Sequence, residues 1–242
     1  MSSRVRFALP AVLVVVALLC VRLGIWQLHR LHQRRAANAA ALAARAEPVL
    51  DLAAASLPPD AALANRRVRA TGRYDRGHEI VLRGVTFDEA PGVQVVTPLV
   101  MASGRAVLVK RGFVPAPDAV SAELAGLDEP GQVTVAGLAL PMDSSERRGK
   151  PLTHEGRTTW GRLDLPALRS ALPYPLLPVY LLQTPDSALP RRPRRLPVPA
   201  LDDGPHLSYA LQWFGFATTA LIVAAILAFR SPERSAAHPA DR

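Results

Sequence analysis

One histidine stands at the mouth of an uncharged apolar segment near the end of the chain. His206 precedes residues 210–229, twenty residues without a charged side chain, which is the length that a helix needs to cross a hydrocarbon core of roughly 30 Å. Gly204 and Pro205 come directly before it and suit the N-cap and first position of a helix. The positive end of the helix dipole disfavours a second positive charge in that first turn. The position therefore favours a neutral imidazole, the form that binds metals.

Two aromatic residues follow His206 at helical spacing. Tyr209 and Trp213 lie three and seven positions later, so one helix face would carry His, Tyr and Trp at the membrane surface. Aromatic rings are also common at the ends of ordinary membrane spans. Spacing alone leaves two interpretations open, a metal-binding histidine with aromatic neighbours and an aromatic belt with a polar cap residue. Spacing favours the belt.

The remaining histidines and the sulfur-containing residues do not form a second site in the sequence. Three histidines lie in polar surroundings that indicate solvation: His78, His154 and His238. His29 and His32 share one helix face beyond the first apolar segment, where an interfacial polar face is a better interpretation than a pair of ligands. The single cysteine, Cys20, excludes an internal disulfide and a Cys-x-x-Cys motif. The three methionines are isolated, unlike the clusters of copper carriers.

The sequence lacks the common catalytic motifs. It has no Gly-x-Ser-x-Gly, P-loop, His-Glu-x-x-His or dinucleotide-binding glycine pattern, and its acidic residues are scattered near expected turns. Catalytic residues converge in space rather than in sequence, so an enzyme remains an alternative. We expect the protein not to be an enzyme.

The basic residues indicate a membrane partner rather than nucleic acid. The formal net charge is +9, from 29 Lys+Arg against 20 Asp+Glu. The arginines crowd near the ends of two apolar segments, where lipid headgroups attract them, and no aromatic-interleaved basic face is present. They are Arg4, Arg6, Arg22, Arg30, Arg34 and Arg35 around the first segment, and Arg191, Arg192, Arg194, Arg195 and Arg230 around the second.

The first apolar segment resembles a signal peptide but is predicted to be an uncleaved anchor. No small-x-small cleavage motif follows it directly, and the helix is expected from Phe7 to Leu28, with Arg22 snorkelling and Trp26 at the interface. Two spans put both termini on one side of the membrane. We predict cytoplasmic termini and an extracytoplasmic central domain, although a loop of about 180 residues weakens the charge rule on which this rests.

The predicted fold class is α+β, with two transmembrane helices flanking a β-rich extracytoplasmic domain that contains short helices. The predicted segments are residues 7–28 (first transmembrane helix), 29–64 (helical and linker segment), 65–183 (β-rich domain), 184–205 (Pro- and Arg-rich tether), 206–229 (second transmembrane helix) and 230–242 (polar tail). The Ala-rich run 36–46 is expected to extend the first helix, and Pro58-Pro59 to stop any helix.

Several strands are predicted from alternation and turn residues. Residues 67–74 alternate strictly and predict a half-buried strand, with 80–82 as its partner. Residues 93–100 and 106–109 predict a hairpin with Gly104 in its turn. Residues 133–137 echo 68–72, a weak internal repeat.

The end of the β-rich segment predicts one short helix and one last strand. Asp164 is expected to cap a helix over 164–172 with Pro166 in its first turn. Residues 179–182 predict the last strand.

Four segments in register resemble the Surf1 (Shy1-like) family. They are Leu23-Gly24-Ile25-Trp26-Gln27-Leu28-His29-Arg30, then Arg67-Val68-x-Ala70-x-Gly72-x-Tyr74, then 95–99 with 107–115, and finally 206–214. The chain departs from the family pattern at Lys110-Arg111-Gly112-Phe113, where members often have Asn-Arg-Gly-Trp. It departs again at Gly204-Pro205, where Asn-Asn is common.

The resemblance implies an assembly factor for haem-copper cytochrome c oxidase in a bacterial cell membrane, assisting haem a insertion into the haem-carrying subunit. It implies transient haem a binding through His206, with Tyr209 and Trp213 shaping an apolar slot. Arg30 and Arg111 are candidates for pairing with the propionates. The expected partners are oxidase subunits and membrane lipid. The alternative is a protein-interaction scaffold for oxidase subunits that binds no cofactor.

Overall fold

The computed structural model describes residues 3–54, 56–120, 122–142, 151–154, 157–186 and 189–229. The predicted polar tail, with Arg230 and His238, lies outside these residues, as do the side chains of Arg4, Arg6 and His154. The chain divides into two units: a helix pair built from Met1–Asn38 and Leu201–Arg242, and a β domain, Ala39–Ala200.

The described residues form three α-helices and nine strands. The helices are α1 (Ser3–Ala46), α2 (Leu165–Ala171) and α3 (His206–Phe229). The strands are β1 (Leu50–Asp51), β2 (Arg67–Tyr74), β3 (Ile80–Phe87), β4 (Ala90–Met101), β5 (Ala106–Pro115), β6 (Gln132–Pro141), β7 (Leu152–His154), β8 (Arg157–Trp160) and β9 (Leu176–Gln183). Two short 3-10 turns are present at Asp60–Leu63 and Arg76–His78. The predicted α+β class, with apolar helices flanking a β-rich domain, is confirmed.

Helices α1 and α3 are both long and apolar enough to cross a membrane. Most of their large apolar side chains are exposed, including Leu18, Ile25, Leu211 and Ile226, as expected for surfaces that face hydrocarbon rather than water. The Ala-rich run 36–46 continues α1 without a break, as predicted. The two terminal helices are consistent with a membrane protein.

Five strands of the sheet close into a ring. The order is β1-β2-β6-β9-β5-β4-β3-β8-β7, and a further pairing joins β2 to β4 through Arg73↔Val100 and its neighbours. The ring β2-β6-β9-β5-β4 therefore has no free edge. Strand β5 pairs in parallel with β9, whereas β4 and β5 form an antiparallel hairpin.

Alternate residues of these five strands fill the inside of the ring. The strands contribute to the buried cluster Val68 and Ala70 of β2, Leu99 and Met101 of β4, Val107 and Val109 of β5, Val135 and Ala139 of β6, and Leu177, Val179 and Leu181 of β9; Leu52 and Leu63 complete it. The period of two follows from strand geometry. Complete burial of each Val or Leu side chain stabilises the domain by about 1.5–3 kcal/mol.

Helix α2 covers a second apolar cluster outside the ring. Leu165 and Leu168 of α2 pack with Leu82 and Trp160. The Asp164 carboxylate accepts a hydrogen bond from the Ala167 backbone N–H at 3.0 Å. The predicted cap and short helix are confirmed.

The strand predictions were right in position and wrong once in pairing. Strand β2 and the β4–β5 hairpin are confirmed, with Gly104 at a φ of 76° in the turn. The prediction that 80–82 pairs with β2 was wrong, because β3 pairs with β4 and β8. Both edges of β2 are already taken, by β6 along its length and by β1 and β4 at its ends.

The echoed segments of the weak repeat pair with each other. Val68 lies opposite Gly137 and Gly72 opposite Val133, in the antiparallel β2–β6 ladder. The repeat therefore reflects two adjacent strands of one ring.

Candidate functional site in the helix pair

A seam of small residues brings α1 and α3 together. Ala17, Cys20 and Ala217 form its buried centre. Gly24 continues the same stripe of α1, and a Cβ there would come within 2.6 Å of the Phe214 ring. Small residues allow helix backbones to approach closely within a membrane. A larger residue at position 24 would require the Phe214 ring to move or the helices to separate at this level.

Gln27 lies on the same face of α1 as these small residues, and it contacts His206. Residues 17, 20, 24 and 27 follow the spacing of three and four that defines one helix face, and Gln27 is half-buried. His206 Nδ1 and Gln27 Oε1 are 2.8 Å apart. An amide oxygen only accepts, so Nδ1 carries the proton and donates it to this bond. In the neutral imidazole, Nε2 then keeps its lone pair.

The backbone turn before α3 places a glycine next to the Nε2 edge of the His206 ring. Gly204 has a φ of 67°, in the left-handed region that glycine adopts at little cost. A Cβ at position 204 would lie 3.7 Å from His206 Nε2. Pro205 O accepts the Tyr209 N–H at 3.1 Å, so Pro205, rather than the predicted Gly204, is the N-cap residue of α3 (His206–Phe229). Glycine at 204 keeps a side chain away from the nitrogen that has the lone pair.

A polar clasp fixes this turn against α1. Asn38 Nδ2 and Arg34 Nε donate to the Asp202 carbonyl oxygen at 2.8 and 3.1 Å, and Arg35 Nε pairs with Asp203 Oδ2 at 2.8 Å. These groups are about half exposed, and such pairs each contribute at most about 1 kcal/mol. Their main effect is positional. Arg34 and Arg35, which were expected near lipid headgroups, pair with Asp202 and Asp203 and stay about half exposed.

The other predicted site residues occupy different surroundings. Trp213 is half-buried beside the seam, with its ring 5.9 Å from that of Phe216. Tyr209 is 45% exposed. Arg30 is exposed and donates to Gln33 Oε1 at 3.0 Å. The structure therefore brings His206 and Trp213 to the α1-facing side of α3, while Tyr209 and Arg30 remain accessible.

A shallow depression lies on α1 beside this region. Its lining is Arg22, Leu23, Ile25, Trp26 and His29, and its volume is about 530 Å³. His29 Nε2 contacts Gln33 Nε2 at 3.0 Å. Within the described residues, no three His, Cys, Asp or Glu side chains are grouped so that they could hold a metal ion. The interfacial polar face remains the better interpretation of His29 and His32.

Arg111 is buried in the β domain, away from any surface. Its side chain is 1% exposed, and Nη2 donates to Glu129 Oε1 at 2.8 Å and to the Leu127 carbonyl oxygen. Nη1 lies 3.5 Å from Glu79 Oε2, which also accepts from Thr97 Oγ1 at 2.6 Å. A propionate could reach Arg111 only by entering this buried network, in which Nε has no hydrogen-bond partner among the described residues. The geometry gives Arg111 a structural role.

Arg195 joins the same network from the predicted tether. Its Nη2 lies 3.1 Å from Glu129 Oε1, and its Nε donates to Gln183 Oε1 at 3.1 Å. Burial lowers the pKa of Arg195, and the Glu129 charge opposes that shift. Arg195 was expected among the lipid-facing arginines, but its side chain is 4% exposed. Buried charges of this kind need partners, and Glu129 supplies the shared one.

The segment before Arg195 pairs with strand β5 through backbone hydrogen bonds. Arg194 and Phe113 exchange backbone hydrogen bonds of 2.8 and 2.9 Å. Gly112, with a φ of 150°, permits the approach, because a Cβ there would come within 2.5 Å of the Arg194 carbonyl oxygen.

The ring of Tyr74 lies 4.9 Å from the Arg111 guanidinium. Burial, followed by the Glu129 charge, raises the pKa of Tyr74, so the phenol stays neutral.

Comparison with known proteins decides the family. The family model described as "SURF1 family" matches residues 14–218, which include most of α1, the β domain and the first half of α3. The chain belongs to the SURF1 family. Membership implies a role in cytochrome oxidase assembly, and the family is one of assembly factors rather than known enzymes.

Individual relatives agree with this assignment over most of their length. A SURF1-like protein of Monosiga brevicollis is 28% identical over 88% of this chain and 85% of its own. SURF1-like proteins of Rickettsia felis and Rickettsia bellii are each 26% identical, over 88% and 86% of this chain. The similarity extends across this SURF1-family protein rather than along one motif.

Sequence reasoning did not single out Gln27 as a contact of His206, nor the clasp at Asp202. One signal was available for Gln27, a polar amide on the stripe of small residues at 17, 20 and 24. A second signal was available for the contacts of Asp202 and Asp203, because these two acidic residues come shortly before α3 in a segment that is otherwise rich in arginine. Glu79 and Glu129 gave none, because their sequence surroundings are those of ordinary loop carboxylates.

Proposed function

We propose that this protein assists haem a insertion into the haem-carrying subunit of cytochrome c oxidase, holding the haem transiently through His206. The single observation that supports the proposal most is the His206–Gln27 hydrogen bond of 2.8 Å. It orients the imidazole and leaves Nε2 with a lone pair, and a metal-bound histidine commonly has such a partner on its other nitrogen.

The residues around His206 suit a cargo of this chemistry. A haem supplies an iron that accepts an imidazole nitrogen, an apolar ring system and two carboxylates. His206 would provide the nitrogen, and Trp213 and Tyr209 would flank the apolar ring. Arg30 is the accessible arginine one turn beyond Gln27 on α1, where it can pair with a propionate. Arg111 has no part in this proposal because its carboxylate partners are internal.

Loss of the gene tests the assembly role. A bacterial strain that makes haem a but lacks the gene should show a reduced haem-a oxidase absorption band, and a plasmid copy should restore it. A normal band in the deletion strain would count against any role in assembly. The same strain carries the test of haem binding, because the protein purified from cells making haem a should have a haem a spectrum. A haem-free protein that restores the oxidase fully would favour the scaffold alternative.

The proposed location is the cell membrane, with both termini cytoplasmic and the β domain outside. Cys20 is the only cysteine and is buried in the helix seam, so single-cysteine variants can report on sidedness. In a Cys20→Ser background, Glu123→Cys should react with an impermeant maleimide added outside spheroplasts. Protection of position 123 until the cells are lysed would reverse the orientation.

A further inference from the structure

A groove on the β domain combines an apolar floor with two arginines. It has a volume of about 280 Å³ and is lined chiefly by Val49, Val68, Leu138, Arg45 and Arg67. Val49 is 54% exposed and Leu138 is buried, so the groove runs from an open apolar mouth to a closed floor. All of its lining residues belong to the β domain, Ala39–Ala200.

The arginines are not neutralised by acids among the described residues. Arg45 is half-buried, and its Nε is enclosed without a hydrogen-bond partner in the part of the chain that the structure describes. Among the described residues, Arg67 donates to the carbonyl oxygen of Glu47 at 3.2 Å and not to a carboxylate. The Glu47 carboxylate pairs with Arg66 at 2.7 Å. The groove therefore has a local positive charge beside an apolar cleft.

We propose that this groove binds the acyl chain and carboxylate of a long-chain fatty acid. No carboxylate pairs with Arg45 or Arg67 among the described residues, and a fatty-acid carboxylate offers the planar pair of oxygens that an arginine fork matches. The volume lies just below the usual range of small-molecule sites, which suits one hydrocarbon chain better than two chains or a fused ring. The groove shares no residue with the proposed haem site, and its proposed ligand does not depend on haem binding.

Photo-crosslinking of the full-length protein in lipid nanodiscs tests the proposal. The probe is a fatty acid with a diazirine in its chain, and mass spectrometry maps the crosslinked residues. Crosslinks are expected at Val49, Leu138 and Val198, where the chain would lie. Crosslinks confined to α3 and to the part of α1 before residue 39 would reflect bulk lipid and overturn the proposal.

Variants test separately whether Arg45 binds the carboxylate and whether the cleft binds the acyl chain. Arg45→Leu should reduce crosslinking in the groove by about tenfold or more, since it removes a charge-assisted hydrogen bond, while Arg45→Lys should retain part of it. Ala136→Phe should block the cleft. Arg73→Leu, an exposed arginine on the same strand as Arg67, is the matched control and should label as the wild type does. Equal labelling of all four variants would overturn the site.

Competition identifies the head group. Unlabelled dodecanoate should displace the probe, and dodecanol, with the same chain and no charge, should not. Displacement by dodecanol would remove the carboxylate from the proposal. Stronger displacement by lysophosphatidic acid than by dodecanoate would assign the site to a phosphate head group and overturn the fatty-acid assignment.

Discussion

Replacing His206 with alanine is expected to abolish the haem a spectrum of the purified protein. His206 is the one proposed iron ligand: its Nδ1 is engaged by Gln27, and position 204 places no side chain of its own beside Nε2. The same substitution removes a hydrogen bond worth only about 1 kcal/mol. The helix pair should therefore survive, held by its small-residue seam.

A ligand role and a structural role give different results in two further measurements. Added imidazole should restore the spectrum of His206→Ala, since the free base can occupy the vacated position, whereas a structural defect would not respond. His32→Ala, which changes an exposed histidine of α1, should keep its haem. A His206→Ala protein with an unchanged spectrum would exclude His206 as a ligand.

Gln27 gives a graded test of the same geometry. Gln27→Leu removes the acceptor of the His206 N–H and should weaken haem binding by about 10–100-fold, the usual cost of losing a hydrogen bond to a metal-bound histidine. Gln27→Glu keeps an acceptor and should bind more tightly than Gln27→Leu. Equal affinity of the two variants would mean that this hydrogen bond does not orient the ligand.

Local patterns predicted the parts of the fold that depend on local physics. Strict alternation over 67–74 gave strand β2, the glycine at 104 gave the hairpin turn, and Asp164 with Pro166 gave the start of α2. In each case the deciding interaction lies within a few residues. The length of the apolar run after His206 gave α3 for the same reason.

The pairing of strands and the contacts of the site depend on residues that are far apart in the sequence. β3 follows β2 directly and looks like its hairpin partner, yet β6 takes that edge and closes the ring. The His206–Gln27 contact joins residues 179 positions apart. Spacing on α3 alone could not reveal the acceptor on α1, so it left the ligand and belt interpretations unresolved.

Sequence position also does not predict which arginines are buried, as Arg30 and Arg195 show. Arg30 and Arg195 both flank apolar segments and look equivalent in sequence. Arg30 is exposed, whereas Arg195 enters a buried network because Glu129, 66 positions away, meets it there. Charge patterns predict a basic flank, but the position of a distant carboxylate decides which arginine is internal.

Replacing Glu129 with alanine is expected to destabilise the β domain by about 3–5 kcal/mol, because it leaves buried cations without their shared partner. Its Oε1 lies 2.8 Å from Arg111 Nη2 and 3.1 Å from Arg195 Nη2. Glu79 remains for Arg111 at 3.5 Å, but Arg195 keeps only neutral acceptors. The melting temperature of the full-length protein in detergent should fall by roughly 6–20 °C.

The charge and the packing of Glu129 can be separated by a double-mutant cycle. Adding Arg195→Ala to Glu129→Ala removes one of the stranded cations, so the double variant should lose less stability than the sum of the single variants. Glu129→Gln keeps an acceptor oxygen without the charge and should melt between the wild type and Glu129→Ala. The exposed Glu123→Ala is the control and should change the free energy of unfolding by about 0.5 kcal/mol. An additive cycle, or a Glu129→Ala cost as small as that of the control, would mean that the segment around Arg195 is held by its backbone bonds to Phe113 rather than by the buried charges.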